Sequence, residues 1–282
     1  MDSQGGAGSV GESAGFCDRS NGLVGFGVAL IAMGILELLM EGMTAILPII
    51  MGVGSARLMM GMAMFSVPLV VAKIWLGIGS VNAERWARAL ILVLAWISLY
   101  DSSRMVVFWL TRPDEFVKVT WMAGTLSVAT CLISGLYAWY YRSQDVQRTC
   151  EKRHPALAWT DRVPLPVLGA SVYLACQIVA PIGLREGHGA WAAGALVMAG
   201  QAACAWGLYR LYRWAWWGTL GVQLVFWSSR YWLRLLTGAE FRFNRVNLVI
   251  LVVWSAIAIA YLIFIRRYFR EEAVTMTITK QV

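Results

Sequence analysis

Seven of the polar or ionisable side chains inside long apolar stretches of this sequence could do chemistry. Such groups are costly in hydrocarbon and usually have a task there. Asp101 and Arg104 lie one helical turn apart in the stretch 89–110, Lys73 lies in 58–80 and Arg230 in 214–236. Glu37 falls near the end of 22–40, Gln177 in 163–184 and Gln223 in 214–236. A guanidinium forks onto carboxylate or phosphate. Asp101, Arg104 and Arg230, with Lys73, Glu37, Gln177 and Gln223 around them, therefore form a candidate binding site for an anionic solute or a lipid head group. A structural alternative stands beside it, in which Asp101 pairs with Arg104 or Lys73 only to draw helices together.

Other chemistry is thinner. Cys150 to His154 carries one half of a zinc pattern without the other half. His188 and Glu186 could exchange protons, but no nucleophile lies near them in sequence. Seven methionines fall between Met40 and Met64, and thioethers bind Cu(I). The only two histidines, His154 and His188, are far away, so adaptable packing is the expectation. No catalytic residue, metal site or cofactor is expected, and the balance leans away from an enzyme.

The elements that must position these residues are membrane helices. The chain has 282 residues, 59% of them apolar and 14% charged. A soluble domain carries about a quarter charged residues. About 20 apolar residues cross a bilayer as a helix. The runs 22–40, 58–80, 89–110, 119–141, 163–184, 189–209, 214–236 and 246–265 meet this, giving an all-α bundle of eight spans. The segment 42–56, with Pro48, Gly52 and Gly54, is short for a span and fits an interfacial or re-entrant piece.

Charge sets the orientation. Fourteen of the 24 Lys and Arg fall on one side of the eight-span arrangement and seven on the other, with Lys73, Arg104 and Arg230 inside spans. The positive-inside rule then puts both termini in the cytoplasm. The net charge of +8 fits anionic lipid at that face. It lacks the clustered basic face that nucleic acid needs. Residues 1–21 lack the basic leader of a signal peptide and read as a disordered tail, and 269–282 as a second polar tail. None of the five cysteines falls in an outer loop, so no disulfide is expected.

Two junctions look alike. Gly79 is followed six residues later by Arg85-Trp86-Ala87, and Gly207 by Arg213-Trp214-Ala215. Ser102-Ser103-Arg104 matches Ser228-Ser229-Arg230, and Tyr137 and Arg142 match Tyr261 and Arg266. Aligning Glu37 with Gln177 extends the match upstream, with about a dozen extra residues in the first loop. The chain thus reads as a four-span repeat over 22–141, a basic linker over 142–162 and a second repeat over 163–268. An even number of spans per half makes the repeat parallel. The motif Gly79…Arg85-Trp86-Ala87-Arg88 resembles one in uncharacterised bacterial multi-span membrane proteins. That resemblance implies a bacterial inner-membrane location and no catalytic residue.

Ala195, Ala199, Ala203 and Gly207 recur every four residues, a spacing that lets membrane helices approach closely. They are expected to pack α-helices against one another. Many of the 15 Trp fall near span ends, as an interfacial belt. The function expected is a transporter-like or permeation protein for a small solute, an anion included, or a lipid. The alternatives are an accessory subunit of a membrane complex and, more weakly, an intramembrane lipid-modifying enzyme. Expected partners are bilayer lipids, with other membrane proteins or further copies of the chain as options.

Overall fold

The computed structural model describes residues 17–50, 70–110, 120–178, 188–223 and 245–269. Among these residues the protein is all-helical, with no strand. The helices are α1 (Ser20–Ile50), α2 (Val70–Val81), α3 (Arg85–Leu110), α4 (Thr120–Tyr141), α5 (Gln144–Arg153), α6 (Leu165–Gln177), α7 (His188–Tyr209), α8 (213–223) and α9 (Arg245–Ile265). A 3-10 turn covers Trp159–Arg162. Each of the eight apolar runs contains one of these helices. The stretches Ser20–Leu39 and Arg85–Val107 are long and apolar enough to cross a membrane.

α1 runs unbroken for 31 residues, roughly 46 Å at the usual rise. The part of 42–56 that is described, up to Ile50, therefore continues α1 and does not start a separate interfacial piece. Gly42 does not break it, because one glycine in a long apolar helix costs only about 1 kcal/mol. Residues 51–69 lie outside the described residues, as does the tail up to residue 16.

The first half is knitted by small residues and tyrosines. A Cβ at Gly27 would lie 2.7 Å from the Gly77 carbonyl oxygen, so α1 and α2 cross with backbones nearly touching. The buried Ser80 hydroxyl donates to the Leu23 carbonyl and shares a 2.5 Å hydrogen bond with Tyr141. Tyr137 donates to the Phe26 carbonyl. In the second half Tyr261 donates to the Pro166 carbonyl. The core of that half joins Val167, Leu174, Leu208, Ala215 and Ile265 with Ala89 and Val93 of α3.

The turns α2–α3 and α7–α8 share one construction. Ala83 and Leu211 are left-handed, with φ of 56° and 58°. Ala83 N–H donates to Ser80 and Glu84 N–H to Gly79; Leu211 N–H donates to Leu208 and Tyr212 N–H to Gly207. This is the paired bonding that closes a helix C-terminus through a left-handed residue. A Cβ at Gly79 would lie 2.6 Å from Ala87 Cβ and 2.9 Å from the Trp86 ring. At Gly207 the values are 2.6 Å from Ala215 Cβ and 2.8 Å from Trp214. Glycine is needed at both because the next helix starts directly against it.

The stretch 142–162 is ordered into α5 and the 3-10 turn. Ser143 caps α5 by accepting the Val146 N–H. Val146, Thr149 and Cys150 recur at helical spacing and are buried. Arg19 donates its N–H to Thr149, Arg88 donates to Gln147, and Arg85 pairs with Asp161 at 3.6 Å. His154 is hydrogen-bonded to the Asn82 carbonyl. α5 thereby lies across the end where α1 and α3 start and where α2 and α4 finish.

α7 packs differently from the expectation. Ala195, Ala199 and Ala203 are exposed, beside Leu196 and Trp206, and only Gly207 makes the close approach foreseen. The packed face is Gln201, Cys204, Ala205 and Leu208. The spacing of small residues marks where a helix could be approached. Which face is used depends on the neighbours, and α6 and α8 take the other one.

Many large apolar side chains face outward. Leu39 is 61% exposed, Leu132 70%, Leu196 75% and Ile263 60%, on four different helices.

Candidate functional site

The residues singled out in the sequence fall into pairs. Glu37 on α1 and Lys73 on α2 form an ion pair in which Nζ lies 2.5 Å from both carboxylate oxygens. Asp101 and Arg104, one turn apart on α3, lie 3.9 Å apart. Gln223 on α8 donates to Gln177 on α6 at 3.2 Å. Lys73 thus serves Glu37 and not Asp101. Arg230 lies outside the described residues, as do Glu186, Met51 to Met64 and the side chain of His188.

Two of the three pairs meet on one seam. Tyr173 and Cys176 of α6 lie within electrostatic reach of the Asp101 carboxylate. The Tyr173 hydroxyl is within hydrogen-bonding reach of the Gln177 side chain. Asp101, Tyr173, Gln177 and Gln223 therefore connect α3, of the first half, to α6 and α8 of the second. The Glu37–Lys73 pair joins only α1 to α2.

Beside this seam lies a cavity of about 400 Å³ between α3, α6, α8 and α9. Its volume falls in the range of small-ligand pockets. The polar side chains on its wall are Tyr100, Tyr173, Thr219, Gln223 and Tyr261; Trp96, Ile97, Leu174 and Ile257 are among the rest. Tyr100 donates to the Trp254 carbonyl, Tyr261 to Pro166 and Thr219 to Ala215. The hydroxyl hydrogens are turned into the helix backbones, which leaves a mostly apolar surface. Trp96, Leu165, Ile257 and Tyr261 of this wall are also exposed, so the cavity is an open apolar cleft that suits an apolar body.

Gln201, Thr160 and Trp254 carry buried polar side-chain atoms and make no side-chain hydrogen bond among the described residues. Gln201 on α7 is fully buried, and neither its amide oxygen nor its nitrogen is bonded. The Trp254 indole nitrogen on α9 and the Thr160 hydroxyl of the 3-10 turn are the others.

The sequence did not single out Tyr100, Tyr173, Thr219 or Trp254 as site residues. The available signal was the tyrosine hydroxyl, which inside an apolar helix must find a partner. Tyr100 and Tyr173 meet edge to face, with ring centroids 6.1 Å apart, and Tyr100 stacks on Trp254 at 5.9 Å.

Cys150 and His154 do not face one site. Cys150 is buried under α5, where desolvation pushes its thiol up to about 11, whereas His154 is exposed. Among the described residues no three His, Cys, Asp or Glu side chains are grouped to hold a metal ion. No family model, curated protein or solved structure matches the chain.

Proposed function

We propose that the chain is a multi-pass membrane protein of two like-oriented four-helix halves that binds, and passes across the bilayer, a lipid-like molecule held between them. The cavity on the seam of α3 with α6, α8 and α9 carries this reading. Its wall suits an apolar body, and it carries a few polar groups, Gln223 among them, for a polar end. Outward-facing leucine, isoleucine and tryptophan on α1, α4, α7 and α9 support a lipid environment, since soluble monomers rarely expose apolar patches of that extent. The matching junctions at Ala83 and Leu211 support duplication. So do the two tyrosine bonds. Tyr137 with Phe26 and Tyr261 with Pro166 are related by the same offsets that align Tyr137 with Tyr261 and Glu37 with Gln177. A bacterial inner membrane with cytoplasmic termini is the setting that the charge bias favours.

The test is extraction and mass spectrometry of whatever co-purifies with the protein from mild detergent. Ala258 lines the cavity, so Ala258→Trp should fill it. The expected result is a co-purifying lipid-like compound in the wild type, depleted at least fivefold in a variant that still elutes as a folded species. Equal retention by both proteins rejects the cavity as the binding site.

One observation favours a second reading. The exposed Ala195, Ala199 and Ala203 on α7 offer a surface that another membrane helix could approach closely. That would suit an accessory subunit. Co-purification of a stoichiometric protein partner that is lost on Ala199→Leu would favour it over the carrier reading.

A further inference from the structure

Three features restrict what the cavity can hold, and together they go further than "lipid-like". The first is charge. Among the described residues, no Asp, Glu, Lys, Arg or His lines the wall. An ion there would be left largely uncompensated. Asp101 and Arg104 stand beside Tyr100 but are already paired with each other.

The second is the state of the polar wall. Tyr100, Tyr261 and Thr219 each donate their hydroxyl hydrogen to a backbone carbonyl. None of the three can donate to a ligand without breaking such a bond.

The third is the Trp254 indole. Its N–H can only donate. The nitrogen is buried and has no acceptor among the described residues. Trp254 lies three and four residues before Ile257 and Ala258, which line the cavity, so all three share one face of α9. Its ring stacks on Tyr100, another wall residue, and its own carbonyl accepts the Tyr100 hydroxyl. Trp254 is not itself a wall residue; its orphan donor belongs to a ring stacked on the wall residue Tyr100. A buried donor left unpaired is costly, so an acceptor brought by a ligand would be favoured there.

Resting on the cavity reading above, we infer that the ligand is uncharged and carries a carbonyl-type acceptor on an apolar tail, a ketone, ester or quinone, with its oxygen at the Trp254 N–H. The aromatic surfaces of Trp96, Tyr100 and Tyr173 suit a flat head group or the first carbons of the tail.

The experiment uses the full-length chain in detergent and three probes with one tail length: dodecane, 2-dodecanone and dodecanoate. Affinities are measured by calorimetry for wild type, Trp254→Phe and Ala258→Trp. Trp254→Phe keeps an aromatic ring and removes the donor. In the wild type the ketone should bind about tenfold tighter than the alkane, the value of one hydrogen bond, and dodecanoate should bind no tighter than the alkane. In Trp254→Phe the ketone and alkane should come within twofold of each other. Ala258→Trp should bind neither. Equal binding of ketone and alkane in the wild type overturns the inference and leaves the cavity reading standing. So does a preference for the anion, or a ketone preference that survives Trp254→Phe. The wild-type ratio decides even if the Trp254 variant does not fold. Binding of none of the three probes overturns the cavity reading and this inference with it.

Discussion

Ala83 and Leu211 hold the same left-handed backbone conformation, 128 positions apart, at the same point of two helix–turn–helix junctions. Each is closed by the same pair of backbone hydrogen bonds, and each puts a Trp-Ala pair against a glycine four residues upstream. The two junctions, alike in sequence, are therefore alike in detailed backbone geometry, down to where a side chain has no room.

That lack of room makes the first prediction. Gly79→Ala and Gly207→Ala force a Cβ to within 2.6 Å of a neighbouring Ala Cβ, which cannot swing away. Each should destabilise by about 1–3 kcal/mol, the usual cost of overpacking, and the two losses should be similar. Gly25→Ala, Gly135→Ala and Gly221→Ala meet nothing within 4 Å. They should be neutral or gain up to about 1 kcal/mol from helix propensity. Thermal melting in detergent compares all five. A large loss at Gly79 with none at Gly207 would break the equivalence of the junctions.

The same offset of 128 relates Lys73 to Gln201. In the first half the cation meets Glu37; in the second, Gln177 bonds Gln223 and Gln201 is buried without a partner among the described residues. Gln201→Met removes two unsatisfied polar atoms while keeping the length of the side chain. It should stabilise by about 1–2 kcal/mol. Lys73→Met should instead destabilise, because it strands the Glu37 carboxylate. A loss of stability in Gln201→Met would show that the amide is bonded by a group beyond those described.

Cys150 supplies a pH-dependent prediction. Burial raises its thiol from an ordinary 9 to about 11, while the nearby Arg88 and Arg85 act in the opposite direction and are outweighed. The folded protein keeps the proton through that window, and the unfolded chain releases it near the lower value. Unfolding is thus accompanied by proton release, and stability falls as pH rises from about 9 to 11. Cys150→Ala should flatten that part of the curve. The thiolate is the reactive species, so maleimide at pH 8 should label the exposed Cys17 well before Cys150. Equal labelling rates would mean that α5 is not docked as described.

The helices were legible in the sequence because each long apolar run leaves a one-dimensional signal. α5 was not, since its buried stripe is only Val146, Thr149 and Cys150 within a charged segment, although Ser143 marked its start. The Gly79 and Gly207 junctions were legible because close packing at a turn demands particular residue types. The Ala195–Ala199–Ala203 stripe misled for the opposite reason: small size permits packing without requiring it. Within the site, the Asp101–Arg104 proximity follows from helical spacing. The Glu37–Lys73 and Gln177–Gln223 partnerships depend on how separate helices cross, which no local pattern encodes. The cavity wall was hidden too, because Tyr100, Tyr173 and Trp254 look like ordinary aromatic filler until their neighbours are known.

The account stands or falls on two like-oriented halves in one membrane. The direct measurement is single-cysteine accessibility on a background with the five native cysteines replaced, using a membrane-impermeant maleimide on spheroplasts before and after permeabilisation. Asn82→Cys and Arg210→Cys report the two junctions, and Glu115→Cys and Glu240→Cys report the loops that should face the other side. The account predicts that positions 82 and 210 are both protected until permeabilisation, while 115 and 240 label from outside at once. Labelling of 82 and 210 from opposite sides, or of all four from one side, would contradict it.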